Sequence, residues 1–212
     1  SVGIVGDAGK VARAILAQLA ADAGDQGRDA RRATVAQTKS AWAQKLASMD
    51  HEDDDPGTTW NQRARADKPE WMSPRMAWRA IQQALPRNAI ISSDIGNNCA
   101  IGNAYPSFDE GRTYRAPGLF GPGGYGLPAV MGAKIGCPDV PGVGFSGDGA
   151  FGIAVNELTA IGRNEWPAIT QVVFRNYQWG AEKRNSTLWF DDNFVGTELD
   201  EDVSYAGIAN AC

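Results

Sequence analysis

The chain has 212 residues, 43% of them hydrophobic and 21% charged, a balance that supports a buried core of ordinary size. Lys and Arg number 20 against 25 Asp and Glu, for a formal charge of -5, and no window is basic enough to follow a nucleic-acid backbone. No stretch approaches the roughly 18 consecutive apolar residues of a membrane span, nor does a basic-then-apolar signal open the chain, so we expect a soluble, cytoplasmic protein without a nucleic-acid partner.

Residues 2 to 6 (Val-Gly-Ile-Val-Gly) read as a short buried strand and Val11 to Ala21 as an Ala- and Leu-rich helix; residues 1–24 are taken as the end of a preceding domain. Across residues 25–70 the composition shifts to Asp, Arg, Gln, Ala and Thr, which reads as a linker with a helix over Thr34 to Met49. Its run Asp53-Asp54-Asp55-Pro56-Gly57 lacks the alternating oxygen ligands of a calcium loop and reads as solvated linker.

Residues 71–212 form the third region. Ser73 is a helix cap, Pro74 suits the first helical position, and Met76, Ala80, Ile81, Ala84 and Leu85 form an apolar stripe that Pro86 ends. Strands follow at Ala89 to Asp94, Gly142 to Ser146 and Ala168 to Phe174, with a helix from Ala150 to Gly162. Apolar strands alternating with helices predict an α/β fold, a parallel sheet with helices on both faces. Both ends suggest a longer protein, since the chain opens inside a βα unit and stops within the helical Tyr205 to Cys212. Cys99, Cys137 and Cys212 are odd in number with no C-x-x-C pair, and His51 is the sole histidine. A disulfide framework and a zinc site are disfavoured, and the cysteines read as buried small apolar residues.

Ligands of such sheets sit at the carboxyl ends of the strands. That edge gathers Asp94 to Asn103, Ser146 to Phe151 and Arg175 to Gly180. Gly147-Asp148-Gly149 by itself is a common turn. It is also a pair of glycines that lets the backbone approach an anion, with helix N-H groups facing it and Asp148 holding a bridging cation. Magnesium wants six oxygens, so one carboxylate is not enough. Asn176 stands 28 residues on, at the end of the next strand, and Gln178 can add a backbone carbonyl before Gly180. A P-loop over Gly3 to Lys10 fails on glycine spacing and on Val11 in place of Ser or Thr, and no dinucleotide fingerprint opens a helix.

With Gly147-Asp148-Gly149 and Arg175-Asn176-Tyr177-Gln178-Trp179-Gly180 in place, the chain resembles thiamine-diphosphate enzymes, whose motif is Gly-Asp-Gly followed by Asn, commonly written with two. Gly118 to Ala129 (Gly-Leu-Phe-Gly-Pro-Gly-Gly-Tyr-Gly-Leu-Pro-Ala) looks like the glycine-rich segment of the acetolactate synthase and pyruvate oxidase branch. Ser93-Asp94-Ile95-Gly96-Asn97-Asn98 lies where that branch touches the diphosphate, and Val2 to Leu19 resembles the end of its central domain.

The resemblance implies thiamine diphosphate and Mg2+ as cofactors, with Asp148 and Asn176 ligating through side chains and Gln178 through its carbonyl. It implies cofactor contacts at Asn97, Asn98, Gly121, Gly147, Asp148, Gly149, Ala150, Asn176 and Tyr177. The Glu that activates the cofactor is expected on a pyrimidine domain outside this sequence, so no catalytic residue is assigned and these residues alone should not turn over. Sites of this branch lie between subunits, which implies a homodimer or homotetramer, and FAD use stays open because some members bind it in the central domain.

Within the branch, Val173 to Leu199, with Phe-Arg-Asn-Tyr-Gln-Trp-Gly-Ala-Glu-Lys-Arg-Asn at its centre and Phe190-Asp191-Asp192-Asn193-Phe194 after it, is similar to the sulfoacetaldehyde acetyltransferases. That implies conversion of sulfoacetaldehyde and phosphate to acetyl phosphate and sulfite, a step of sulfonate (taurine) catabolism. Two anionic substrates call for cations, and Arg175, Lys183 and Arg184, or Arg112 and Arg115, are candidates; a structural ion pair is the favoured competing role for each. Gly123 departs from the branch, which has a large apolar residue there to bend the cofactor; either Phe120 or Leu127 substitutes, or the register of the resemblance is shifted by a residue or two. An acetolactate synthase-type carboligase or decarboxylase would share every cofactor residue. A non-catalytic diphosphate-binding relative is the alternative from another class, against which the retained Asp148 and Asn176 speak.

Overall fold

The computed structural model describes residues 3–22, 27–48, 72, 74–104, 106–108, 113–163 and 165–212. The chain divides into two compact units, Ser1–Thr59 and Trp60–Cys212.

The first unit carries α1 (Ala8–Asp22) and α2 (Arg28–Ser48). Asp7 Oδ1 accepts from the Lys10 N-H at 2.9 Å, a side-chain cap that starts α1 earlier than the apolar pattern suggests. The expected strand before it is corrected: residues 3–6 are irregular, with Ile4 61% and Val5 103% exposed. A short strand holds only when paired, and the strands among the described residues form one sheet elsewhere. Helix α2 begins at Arg28, ahead of the expected Thr34, and buries none of its side chains. Ser73, His51 and the run Asp53 to Gly57 lie outside the described residues.

Among the described residues the second unit carries α3 (Pro74–Ala84), then β1 (Ile90–Ser93), α4 (Asn97–Gly102), β2 (Tyr114–Arg115) and α5 (Gly126–Gly136). It continues with β3 (Gly142–Gly147), α6 (Asp148–Ala154), α7 (Leu158–Ile161), β4 (Thr170–Phe174), α8 (Gly180–Trp189) and α9 (Tyr205–Ala211). The four strands pair in parallel in the order β2-β1-β3-β4. The two-residue strand β2 carries no periodic signal and exists only because Tyr114 and Arg115 pair with Ile91 and Ser92. The expected helix over 150–162 is broken into α6, a 3-10 turn at Val155–Glu157 and α7.

Alternate residues of the strands enter two cores, which puts helices on both faces. On one face Trp78 of α3 lies 4.4 Å from Phe145 and 5.6 Å from Phe174, ring centre to ring centre, over Ile91 and Val143. Trp78 is the buried residue of α3, with Ile81 and Leu85 packed beside it, whereas Met76 is 45% exposed. The buried face is thus rotated from the expected stripe, because the indole offers more apolar area than the alanines. On the other face Leu127, Val130 and Met131 of α5 meet Phe151 and Ala154 of α6. Helix α5 lies so close to β3 that a Cβ on Gly142 or Gly144 would reach Val130 at 3.1 Å. The buried Lys134 closes the turn from α5 to β3, its Nζ donating to the carbonyls of Pro138 at 2.5 Å and Val140 at 2.6 Å.

Candidate functional site

The chain leaves β1 toward β2 on one side and β3 toward β4 on the other, so the carboxyl ends of β1 and β3 form the topological switch point where a ligand is received. Three turns meet there: residues 94–98 after β1, 147–150 after β3 and 175–180 after β4.

Asp148, 3% exposed, opens α6. Its Oδ2 accepts from the N-H groups of Asn176 at 3.1 Å and Tyr177 at 2.7 Å, and its Oδ1 from Gly149 at 3.0 Å. The carboxylate therefore ties the end of β4 to the start of α6. Asn176 Oδ1 faces Asp148 Oδ1 at 3.2 Å and the Gln178 carbonyl at 3.0 Å, so three oxygens converge; turned over, its amide nitrogen would donate to both. Neighbouring ligands of an octahedral magnesium stand about 3 Å apart, given bonds of about 2.1 Å. The donor set and its spacing fit that ion.

The turn that delivers these groups is over-determined. Tyr177 sits at φ 57, an unusual region for an aromatic residue. Its N-H donates to Asp148 and its carbonyl accepts from Leu199 N-H at 2.8 Å, while Trp179 N-H donates to the Thr197 carbonyl at 2.7 Å. Tyr205 of α9 donates its hydroxyl to the Asp148 carbonyl at 2.9 Å and packs edge-on to Phe151. Burial, with the nearby Asp148 charge as a second cause, pushes the Tyr205 hydroxyl above its ordinary range.

The two motif glycines differ. A Cβ on Gly147 would meet nothing within 4 Å, which leaves room for another group to approach that backbone. A Cβ on Gly149 would come within 2.8 Å of the Trp179 ring, so this glycine is required by the protein's own packing. Gly180 is equally confined, since its Cβ would meet Asn176 Nδ2 at 2.9 Å and Asn97 Nδ2 at 3.1 Å. Asn97 is exposed at the site edge, whereas the Asn98 side chain is turned inward, donating to Ser93 Oγ at 3.3 Å. Ala150 is 6% exposed within α6, and Gly121 turns at φ 67 against Ile95.

The cations are not all poised toward open space. The Arg175 guanidinium lies 4.5 Å from the Tyr177 ring centre and 5.5 Å from that of Tyr205, and donates to the Glu201 carbonyl at 3.3 Å. Lys183 pairs with Glu198 at 2.5 Å, Arg184 is exposed on α8, and Arg115 donates to its neighbour's carbonyl at 3.2 Å. Arg112 lies outside the described residues.

Phe120 is 93% exposed and Leu127 is buried in the core, while Ile153 Cδ1 stands 2.9 Å from where a Cβ on Gly123 would be. One expectation is corrected. Of the cysteines only Cys99 is buried, its thiol pushed up chiefly by that burial, while Cys137 and Cys212 are exposed. Sequence reasoning assigned no role of their own to Asp94, Trp179 and Tyr205; a carboxylate directly after a strand of otherwise buried residues was the available signal for the first. Among the described residues no helix is long and apolar enough to cross a membrane.

The thiamine pyrophosphate enzyme C-terminal TPP binding domain matches residues 94–212, and the chain belongs to that family. It is 82% identical over 212 residues to the sulfoacetaldehyde acetyltransferase of Roseovarius nubinhibens, covering all of this chain and 35% of that protein. It is 77% identical, again over all of this chain, to the sulfoacetaldehyde acetyltransferase of Rhodobacter capsulatus, of which it covers 36%. The chain thus spans about a third of the length of these relatives. Its fold is shared with a thiamine diphosphate-dependent 4-hydroxybenzoylformate decarboxylase of Rhodococcus jostii RHA1, at TM-score 0.60 and 20% identity, over 66% of this chain and 26% of that one.

Proposed function

We propose that these residues hold the diphosphate and magnesium of a thiamine-diphosphate-dependent sulfoacetaldehyde acetyltransferase, which turns sulfoacetaldehyde and phosphate into acetyl phosphate and sulfite. The observation that carries the reading is the convergence of Asp148, Asn176 and Gln178 oxygens at the spacing of magnesium ligands. The likeness to relatives bearing that name over the whole chain supports the substrate. Residues 1–24 would end a central domain, 25–70 link it, and 71–212 form the cofactor domain of a cytoplasmic homodimer or homotetramer in taurine catabolism.

In this reading Asp148 and Asn176 ligate Mg2+ with side-chain oxygens and Gln178 with its carbonyl. The open backbone at Gly147, with Asn97 and the α4 and α6 turns beside it, receives the diphosphate. The contacts at Asn98, Gly121, Gly149, Ala150 and Tyr177 are backbone ones, as the inward Asn98 side chain and the Trp179-covered Gly149 suggest. Thiamine diphosphate, when bound, supplies the carbon nucleophile and electron sink for sulfite loss. Arg175 and Lys183 serve the turn that carries Asn176, given their contacts with Tyr177, Tyr205 and Glu198. Arg184, exposed on α8, faces an anionic substrate.

Sulfite release by the full-length polypeptide that carries these residues tests the reading. Sulfite and acetyl phosphate in equal amounts, dependent on thiamine diphosphate and magnesium, would uphold it. Acetolactate from pyruvate with no sulfite would replace the substrate assignment with that of a carboligase.

A further inference from the structure

Asp94 follows β1 directly and is fully buried at 0% exposure. Its carboxylate accepts four hydrogen bonds. Oδ1 accepts from Ile95 N-H and from Gly124 N-H, both at 3.0 Å, and Oδ2 from Gly126 N-H at 2.7 Å and from Ser146 Oγ at 3.2 Å. Ser146 in turn accepts from Gln171 Nε2 at 3.1 Å. A buried polar line thus runs from β4 through β3 to the end of β1 and on to the glycine-rich turn.

The electrostatics explain why a carboxylate with no ion pair among the described residues is tolerated there. Gly124 and Gly126 stand at the amino end of the eleven-residue α5, so its orphan N-H groups and dipole meet the negative charge. The anion these groups would attract is supplied internally. The turn is held on both sides, because Ile95 packs against Gly121 while Ser92 Oγ donates to the Gly126 carbonyl at 2.5 Å. There is no slack: a Cβ on Gly126 would fall 2.7 Å from Ser146 Oγ and 3.1 Å from Asp94 Oδ2.

We infer that Asp94 is a positioning residue for the cofactor site: by satisfying the α5 amino end it fixes the glycine-rich turn, 121–126, against the end of β1. The anion of the ligand is then received beside Gly147 at the α6 turn. This rests on the proposed function, but the role belongs to Asp94 and to no metal ligand. The chemistry is specific to a carboxylate. In Asp94→Asn, an amide nitrogen in the Oδ1 place opposes Gly124 N-H and Ile95 N-H, and in the Oδ2 place it opposes Gly126 N-H, so at least one charge-assisted bond is lost in either orientation.

The test uses the full-length polypeptide and thiamine diphosphate with magnesium as the probe, comparing Asp94→Asn, Asp148→Ala and the core variant Ile91→Val. Asp94→Asn should weaken cofactor binding about tenfold or more, the scale of one lost charge-assisted bond. Its kcat at saturating cofactor should stay within about twofold, and amide exchange over 121–126 should rise in the cofactor-free protein. Ile91→Val, which loosens the core away from the turn, should leave affinity and exchange there unchanged well below its melting temperature. Wild-type affinity in Asp94→Asn with binding lost in Asp148→Ala would overturn the inference and leave the proposed function standing. Equal weakening in Asp94→Asn and Ile91→Val would also overturn it, as generic destabilisation. Absence of binding by the unaltered protein would overturn both.

Discussion

Replacing Gly149 with Ala separates two reasons for a glycine in the Gly-Asp-Gly motif. If the residue serves only the approach of an anion, the cofactor-free protein should gain stability from Gly149→Ala, because alanine is favoured over glycine inside a helix by about 1 kcal/mol. In the structure the new methyl carbon falls 2.8 Å from the Trp179 ring atoms Cε3 and Cζ3. That approach is far inside ordinary contact, and overpacking of this kind costs about 1–3 kcal/mol. The overlap outweighs the helix gain, for a net loss of up to about 2 kcal/mol. For a chain of this size each 1 kcal/mol lowers the melting temperature by about 2–4 °C. Urea unfolding of the cofactor-free chain, followed by backbone circular dichroism, measures it. The sharper form is a double-mutant cycle: in a Trp179→Ala background the ring is gone and Gly149→Ala should become neutral or stabilising. A stabilising Gly149→Ala in the wild-type background, or the same change in both, would refute the packing of Trp179 over this glycine.

Thiol labelling of the native chain should consume two equivalents quickly, at the exposed Cys137 and Cys212, and the third only on unfolding, since Cys99 is buried and its thiol is pushed upward. Three rapid equivalents would contradict the burial of α4. In alkali the buried groups destabilise the fold. Tyr114 and Tyr205 are both raised above 10.0, chiefly by burial, so the unfolded chain loses those protons first. Their contribution is complete below about pH 10 and declines as pH rises through the folded values. Tyr205→Phe should flatten that decline in a stability-against-pH titration, and an unchanged slope would remove Tyr205 from the account. Arg175→Lys keeps the charge but loses the planar contact with Tyr177 and Tyr205, and should cost about 1–2 kcal/mol in urea unfolding. A change below measurement error would return Arg175 to the list of substrate-contact candidates.

The fold class was legible because the pattern that signals a buried parallel strand is local: Ile90–Ser93, Gly142–Gly147 and Thr170–Phe174 were each visible as apolar runs between turns. Asp148, Asn176 and Gln178 could be named for the same reason, since strand order in an α/β sheet carries residues 28 apart to one edge and magnesium needs more than one ligand. What local pattern cannot encode is pairing and contact across the sheet. Strand β2 exists through its partner β1, and the expected strand before α1 has no such partner among the described residues. The choice of Trp78 over the alanine stripe was made by two aromatic neighbours from other strands.

The same division runs through the site. Sequence alone determined which residue types could hold a diphosphate and a cation, because their chemistry and spacing are properties of the chain. Only the tertiary structure decided that Gly149 is confined by Trp179, that Ile153 fills the space above Gly123, and that Asp94 holds the glycine-rich turn. Each of these depends on side chains meeting from segments distant in sequence, where a difference of about 1 Å decides between a contact and a clash, and no local preference carries that information.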